Sequence, residues 1–444
     1  MRNVKWVSFL LMICILAGSL MGCTGAKNQK ETSGTSQEQN NGDTTTEEGN
    51  AADTQAAAGK VTFWNDKLAN LAETQKRLSD AWTEASGLDI DINSYVDTAS
   101  YQTAMSQSID NTDAAPNAFT WWSGEQLEAL ATSGKLLELD DVWEKIIAMG
   151  VSPDIKEALS YNGHAYAVPY SLLNNVCIYN KDAFVKAGIN DTPKTFDEFL
   201  ADCQKLVDAG ITPIGIKNDS WASFIWFQAL VASYDPNLYI GVCDGSIPYT
   251  DARMVEVFKI WKEMFDKGYF ADPVAGADNG KRIATGECAI YIEPQSEVTI
   301  LENGYGVVSG ENLDAFALPS MNGGKAVIFF EVAPMAVPAA VKDPETSKKL
   351  LEGYYMDKTQ TVTLSESGIV LTSSVKVEDP TLAKISGMAA DNQNYQSILR
   401  YYENTPSVLR DYALDELSKF MAGQQDADTT LGNIQIKADE VFKK

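Results

Sequence analysis

Short runs of alternating apolar residues take turns with amphipathic helical stripes from Lys60 to Lys444, and that alternation confines the chain to α/β architectures. Val61-Thr62-Phe63-Trp64 predicts a first strand. Leu68, Leu71, Ala72, Gln75, Leu78, Trp82 and Ala85 then recur at helical spacing. Ile90, Ile92 and Val96 predict a second strand, and Val176–Tyr179 and Ala289–Ile292 predict two more. Thr195 and Glu198 stand at capping-box spacing ahead of the stripe Phe196, Phe199, Leu200, Cys203, Leu206 and Val207, which Gly210 ends. Asp251 is positioned to cap a helix with Val255, Phe258, Trp261, Met264 and Phe265 on its stripe, ended by Gly268. Trp82, Trp143 and Trp261 fit such stripes and are expected to serve packing.

The chain's 444 residues exceed one ordinary core and predict two globular domains. Its net charge of -26 repels phosphate backbones, which excludes nucleic acid as a partner and favours a neutral or cationic small molecule. The single histidine, His164, rules out sites built on several histidines and is expected at the surface. Cys177, Cys203, Cys243 and Cys288 are scattered through apolar segments and read as buried thiols, although one bridged pair stays open in an exported chain. Gly304-Tyr305-Gly306 lacks dinucleotide-binding spacing, and no phosphate-binding GxxxxGK[ST] loop is present. Asp89, Asp91 and Asn93 imitate a calcium loop, but Ser94 and Ser100 stand where its glycine and bidentate glutamate belong. No catalytic residue, metal or cofactor is therefore assigned.

The first residues read as an address. Arg2 and Lys5 precede the apolar run Val7–Leu16, a secretory signal too short to be a good membrane span. Leu20-Met21-Gly22-Cys23 resembles the lipobox of bacterial lipoproteins, with Met21 an unusual residue inside it. That resemblance implies a signal peptide over 1–22 and acylation of Cys23. Through residue 58 the chain is polar and small, so 23–58 is expected to be a disordered tether to the outer face of the cytoplasmic membrane.

Ala165-Tyr166-Ala167-Val168-Pro169-Tyr170-Ser171 is followed in order by Ile178-Tyr179-Asn180-Lys181 and by Thr192-Pro193-Lys194-Thr195-Phe196. Gly286-Glu287-Cys288-Ala289-Ile290-Tyr291-Ile292 and Ala333-Pro334-Met335-Ala336-Val337-Pro338 come later. This succession, spread over nearly all of Lys60–Lys444, resembles the extracellular solute-binding proteins of bacterial sugar ABC importers. The resemblance implies a two-lobed periplasmic-binding-protein-like fold (type II), with the ligand in a cleft between lobes joined by hinge crossings. One lobe is expected to hold 60–168 plus 318–353, the other 169–312 plus 358–444. It also implies a monomeric receptor, not an enzyme, that delivers a carbohydrate, such as an oligosaccharide, to permease subunits.

A sugar needs flat aromatic platforms and fixed polar groups around its hydroxyls. Trp64 and Asp66 follow the first strand. Trp121, Trp122 and Glu125 form a motif in which one tryptophan is expected to face the cleft and Ser123 to cap the next helix. Tyr170 and Asn174 lie beside the implied hinge, and Trp221 opens an aromatic-rich helix. Glu293 follows a strand where many relatives continue with glycine and tryptophan, and Glu331 interrupts an apolar run. A cationic polyamine or a peptide is the alternative ligand within the same fold. A glycoside-processing enzyme or an adhesion lipoprotein are the alternatives from other classes.

Overall fold

Alternating apolar side chains fold the early segments into parallel strands around a buried face. The computed structural model describes residues 60–443 apart from 67, 69, 70, 220 and 221. The expected signal peptide, Cys23, the tether and Trp221 lie outside the described residues. The strands are β1 (Val61–Asn65), β2 (Ile90–Ser94), β3 (Ala118–Thr120), β4 (Ser160–Tyr161), β5 (His164–Ala165) and β6 (Ala167–Asn180). They continue with β7 (Thr212–Ile214), β8 (Cys288–Pro294), β9 (Leu313–Phe316), β10 (Ala326–Ala336) and β11 (Tyr395–Leu399). One continuous sheet runs β2-β1-β3-β10-β6-β8-β7, with β11 added to β10 and β9 to β6. β1 is parallel to both β2 and β3, whereas β10 runs antiparallel to β3 and β6.

Two of these strands pass between separate apolar cores. In β6, Val168 and Tyr170 belong to the first core, while Cys177 and Tyr179 belong to the second. In β10 the order is reversed: Val327 and Phe329 pack in the second core, Val332 and Met335 in the first. A third passage leads from Ile369 and Leu371 in the first core to Leu382 in a smaller third one. Helix Asp357–Ser367 lies on helix Ala72–Ser86, where Glu366 accepts from Arg77 and Thr74.

Most helix signals are realised. Thr195 accepts from the Glu198 amide, and Asp251 accepts from that of Arg253. Glu198 reaches back to the Lys194 amide, one residue beyond the N-cap amide of a reciprocal capping box. Gly210 and Gly268 take positive φ values of 74° and 71°, a conformation that glycine adopts without a Cβ clash. Four predicted apolar positions are misassigned, among them Leu71 and Ala72, which stand exposed at the start of helix Ala72–Ser86. Val96 stands 76% exposed beyond the end of β2, and Val255 turns outward because Met254 and Val257 fill the buried face instead. Trp82, Trp143 and Trp261 are fully buried, and the thiols of Cys177, Cys203, Cys243 and Cys288 are buried and unbridged. His164 is exposed, with Nδ1 3.0 Å from an Asp140 carboxylate oxygen.

Candidate functional site

One edge of β10 carries strands at both ends and is open between them only in having no strand partner, since Val332 and Ala333 are buried. β3 pairs with it at Met335 and Ala336, and β11 pairs with it from Ala326 to Phe330. Residues 331–334 lie between these partners, at the passage from one core to the other. Because β3 is antiparallel to β10, its continuation runs toward Glu331; the Trp121 amide still donates to the Pro334 carbonyl at 2.9 Å. From the other side, the Arg400 amide donates to the Phe330 carbonyl at 3.1 Å. The open stretch is thus bordered by Trp121, Trp122, Glu331 and Arg400.

Both tryptophans are half-buried, with ring centroids 4.9 Å apart in an edge-to-face arrangement. Tyr101 supports both rings from within the first core. Trp121 donates from Nε1 to the Gln126 carbonyl at 3.3 Å. The two rings thus share burial at the rim of the first core. Ser123 is buried but makes no helix cap; Gly124 takes the N-cap position of helix Glu125–Thr132.

Glu331 joins an ionic network. Arg400 places Nη1 2.6 Å from Glu331 Oε2, and it holds Glu403 through Nε at 2.6 Å and Nη2 at 2.7 Å. Burial works against the Arg400 charge, yet Glu403 and Glu331 hold its pKa above the usual arginine value. The guanidinium also lies over the rings of Phe224 and Tyr402. Sequence reasoning missed Arg400, Tyr402 and Glu403, although the run Arg400-Tyr401-Tyr402-Glu403 directly after a strand was the available signal.

The remaining sequence-selected residues divide by location. Asp66 follows β1 on the strand edge shared with β3, half-buried, with Thr98 Oγ1 at 3.4 Å. Trp64 is 6% exposed and packs against Tyr95, and Tyr170 stacks on Tyr354 in the first core. Both rings, which the sequence suggested as ligand contacts, are buried in this structure. The Asn174 amide group donates to Gln295 Oε1 at 2.9 Å, which in turn ties the β6–β8 junction. Glu293 is buried and 2.7 Å from Lys217 Nζ. Burial pushes its carboxyl up to about 7, with Lys217 opposing the shift. Glu125 does not point into the open edge. Its Oε2 accepts from the amide of Ser407 at 2.9 Å and its hydroxyl at 2.7 Å, which holds the carboxyl below its ordinary range.

Glu138, Asp140 and His164 bring ligand-type atoms together at the surface, but Lys156 already pairs with Asp140 at 2.7 Å.

Comparison with known proteins gives this geometry a family. An uncharacterised ABC transporter extracellular-binding protein of Pyrococcus horikoshii is 26% identical over 254 residues, covering 55% of each chain. The match therefore spans about half of that relative's length. The diacetylchitobiose binding protein DasA of Streptomyces coelicolor is 24% identical over 319 residues, 68% of this chain and 72% of the relative. Among solved structures, the bacterial solute receptor AcbH superposes with a TM-score of 0.71 at 20% identity, covering 87% of this chain and 99% of the receptor. A chitin oligosaccharide binding protein gives 0.71 at 20% identity, with 86% and 98% covered. These structural likenesses establish the two-lobed α/β fold of type II solute-binding proteins. With the family model for bacterial extracellular solute-binding proteins matching residues 65–360, the chain belongs to that extracytoplasmic family.

Proposed function

We propose that this protein is the receptor of an ABC importer for a neutral carbohydrate, such as an oligosaccharide, bound at the open edge of β10 and passed intact to permease subunits. The carrying observation is the pair of half-buried tryptophans after β3, bonded to β10 at Pro334, three residues from Glu331, whose carboxylate is already paired with Arg400. Aromatic faces suit the C–H surfaces of a sugar, and carboxylate oxygens accept from its hydroxyls. Arg400 is engaged by two carboxylates, which leaves an anionic ligand poorly served there. The names of relatives that bind diacetylchitobiose and chitin oligosaccharides support the same class. On this reading the ligand-binding residues are Trp121, Trp122, Asp66 and Glu331, with Trp221 a further candidate, and the two cores mark the lobes of a monomeric receptor.

A thermal-shift screen of mono- and oligosaccharides, polyamines, amino acids and peptides tests the proposal, since a ligand of the folded state raises its apparent stability. A shift with one sugar series and no product on incubation is expected. A shift only with polyamines or peptides overturns the carbohydrate assignment, and turnover overturns the receptor assignment. Acylation of Cys23 belongs to the same proposal; Cys23→Ser should release the protein from membranes into the soluble fraction.

A further inference from the structure

Glu125 belongs to a helix of the first core, whereas Ser407 opens helix Ser407–Met421, whose Leu409, Ala413 and Leu417 pack in the second. The two hydrogen bonds between them therefore join the lobes, outside the open edge of β10. The carboxylate takes the place that an N-cap side chain would fill, satisfying an amide at the positive end of a 15-residue helix whose own N-cap, Pro406, makes no side-chain bond. Arg410, one turn on, adds a favourable charge.

Next to it the two backbones touch. Gly124 has φ +70° and ψ −142°, and a Cβ built on it would run into the carbonyl oxygen of Glu403. Glu403 is the residue that grips Arg400, and Arg400 grips Glu331 on the crossing strand. A lobe-to-lobe contact and the polar wall of the candidate site thus share one residue.

We propose that Gly124 and Glu125 form a latch that holds the lobes together, so that Glu125 acts on ligand affinity as a positioning residue without touching the ligand. This rests on the receptor reading above. Opening the lobes strips the Ser407 amide and hydroxyl of their acceptor and parts Gly124 from Glu403. A ligand that binds the closed arrangement is then helped by whatever the latch contributes to its population.

The test reads lobe separation and affinity independently on the purified protein. Small-angle scattering of Glu125→Ala, which removes the acceptor of both bonds, and of Ser407→Ala, which removes the hydroxyl donor, should show without ligand a larger radius of gyration than the parent. Titration calorimetry with the sugar that shifts the parent's melting should show Kd raised by roughly fivefold in each variant, with ligand rank order unchanged. The double variant should lose no more than the Glu125 variant alone, because removing the carboxylate already takes away the acceptor of both bonds. Cooperative unfolding retained in all three separates a latch from misfolding. Unchanged scattering and unchanged Kd in both single variants overturn the latch. If no ligand shifts even the parent, the receptor reading fails, while the scattering comparison still decides whether the contact holds the lobes.

Discussion

At the scale of single residues, the molecule's most exacting feature is its handling of buried charge. Arg400, Glu331 and Glu403 are mutually dependent, so removing the guanidinium leaves two carboxylates beside one another without a cation. Arg400→Met is expected to destabilise the fold by about 3–5 kcal/mol in urea unfolding, whereas Arg400→Lys should recover part of the loss. Glu293 gives a pH-dependent counterpart. Its carboxyl, raised to about 7, holds a proton more tightly in the folded protein than in the unfolded chain. Its contribution is therefore fully present below the unfolded value and is lost as pH rises through about 7, a change on the order of 3 kcal/mol. The fall in melting temperature between pH 5 and pH 8 should flatten in Glu293→Gln, at the expense of a lower baseline because Lys217 loses its partner. Glu331 was legible as an oddity within Val327–Ala333, because a charge in an apolar run demands a partner. The partner itself was not legible: Arg400 is 69 positions away, and only the β10–β11 register brings the two together.

At the scale of elements, the loop after β3 is the part of the candidate site most open to a direct test. Trp122→Ala should weaken sugar binding by about 2 kcal/mol, roughly thirtyfold in Kd, with a smaller effect on melting than Trp82→Ala, whose ring is fully buried. If calorimetry finds Kd unchanged in both Trp121→Ala and Trp122→Ala, the loop leaves the site. Helices were the easiest elements to foresee, since caps such as Thr195 and Asp251 and stops such as Gly210 and Gly268 are local signals. Val96 and Val255 mislead for a related reason: periodicity says which residues share a face, not where the face ends or which neighbour covers it. Glu125 shows the same limit. Its place at a helix start was readable, but the amide it satisfies belongs to a helix 282 positions away.

At the scale of the whole molecule, the order of motifs conveyed the α/β class and the two-lobed fold, since that order follows the path of the chain through the sheet. The points at which β6 and β10 change cores were not conveyed, because each passage falls inside one unbroken strand with no turn to mark it. Their continuity has a thermal consequence. Neither core can melt without stripping two strands from the other, so a calorimetric scan should give one transition, with equal calorimetric and van't Hoff enthalpies. It also has an elastic one. Two antiparallel strands laddered together from Ala167 to Asn175 and from Phe329 to Ala336 form a stiff ribbon, not a slack joint. Any parting of the lobes must be taken up as bend and twist distributed along that ribbon and as rearrangement of the passage after Leu371. The register irregularity between Ala333 and Pro334 is where that ribbon, like a notched leaf spring, bends most easily.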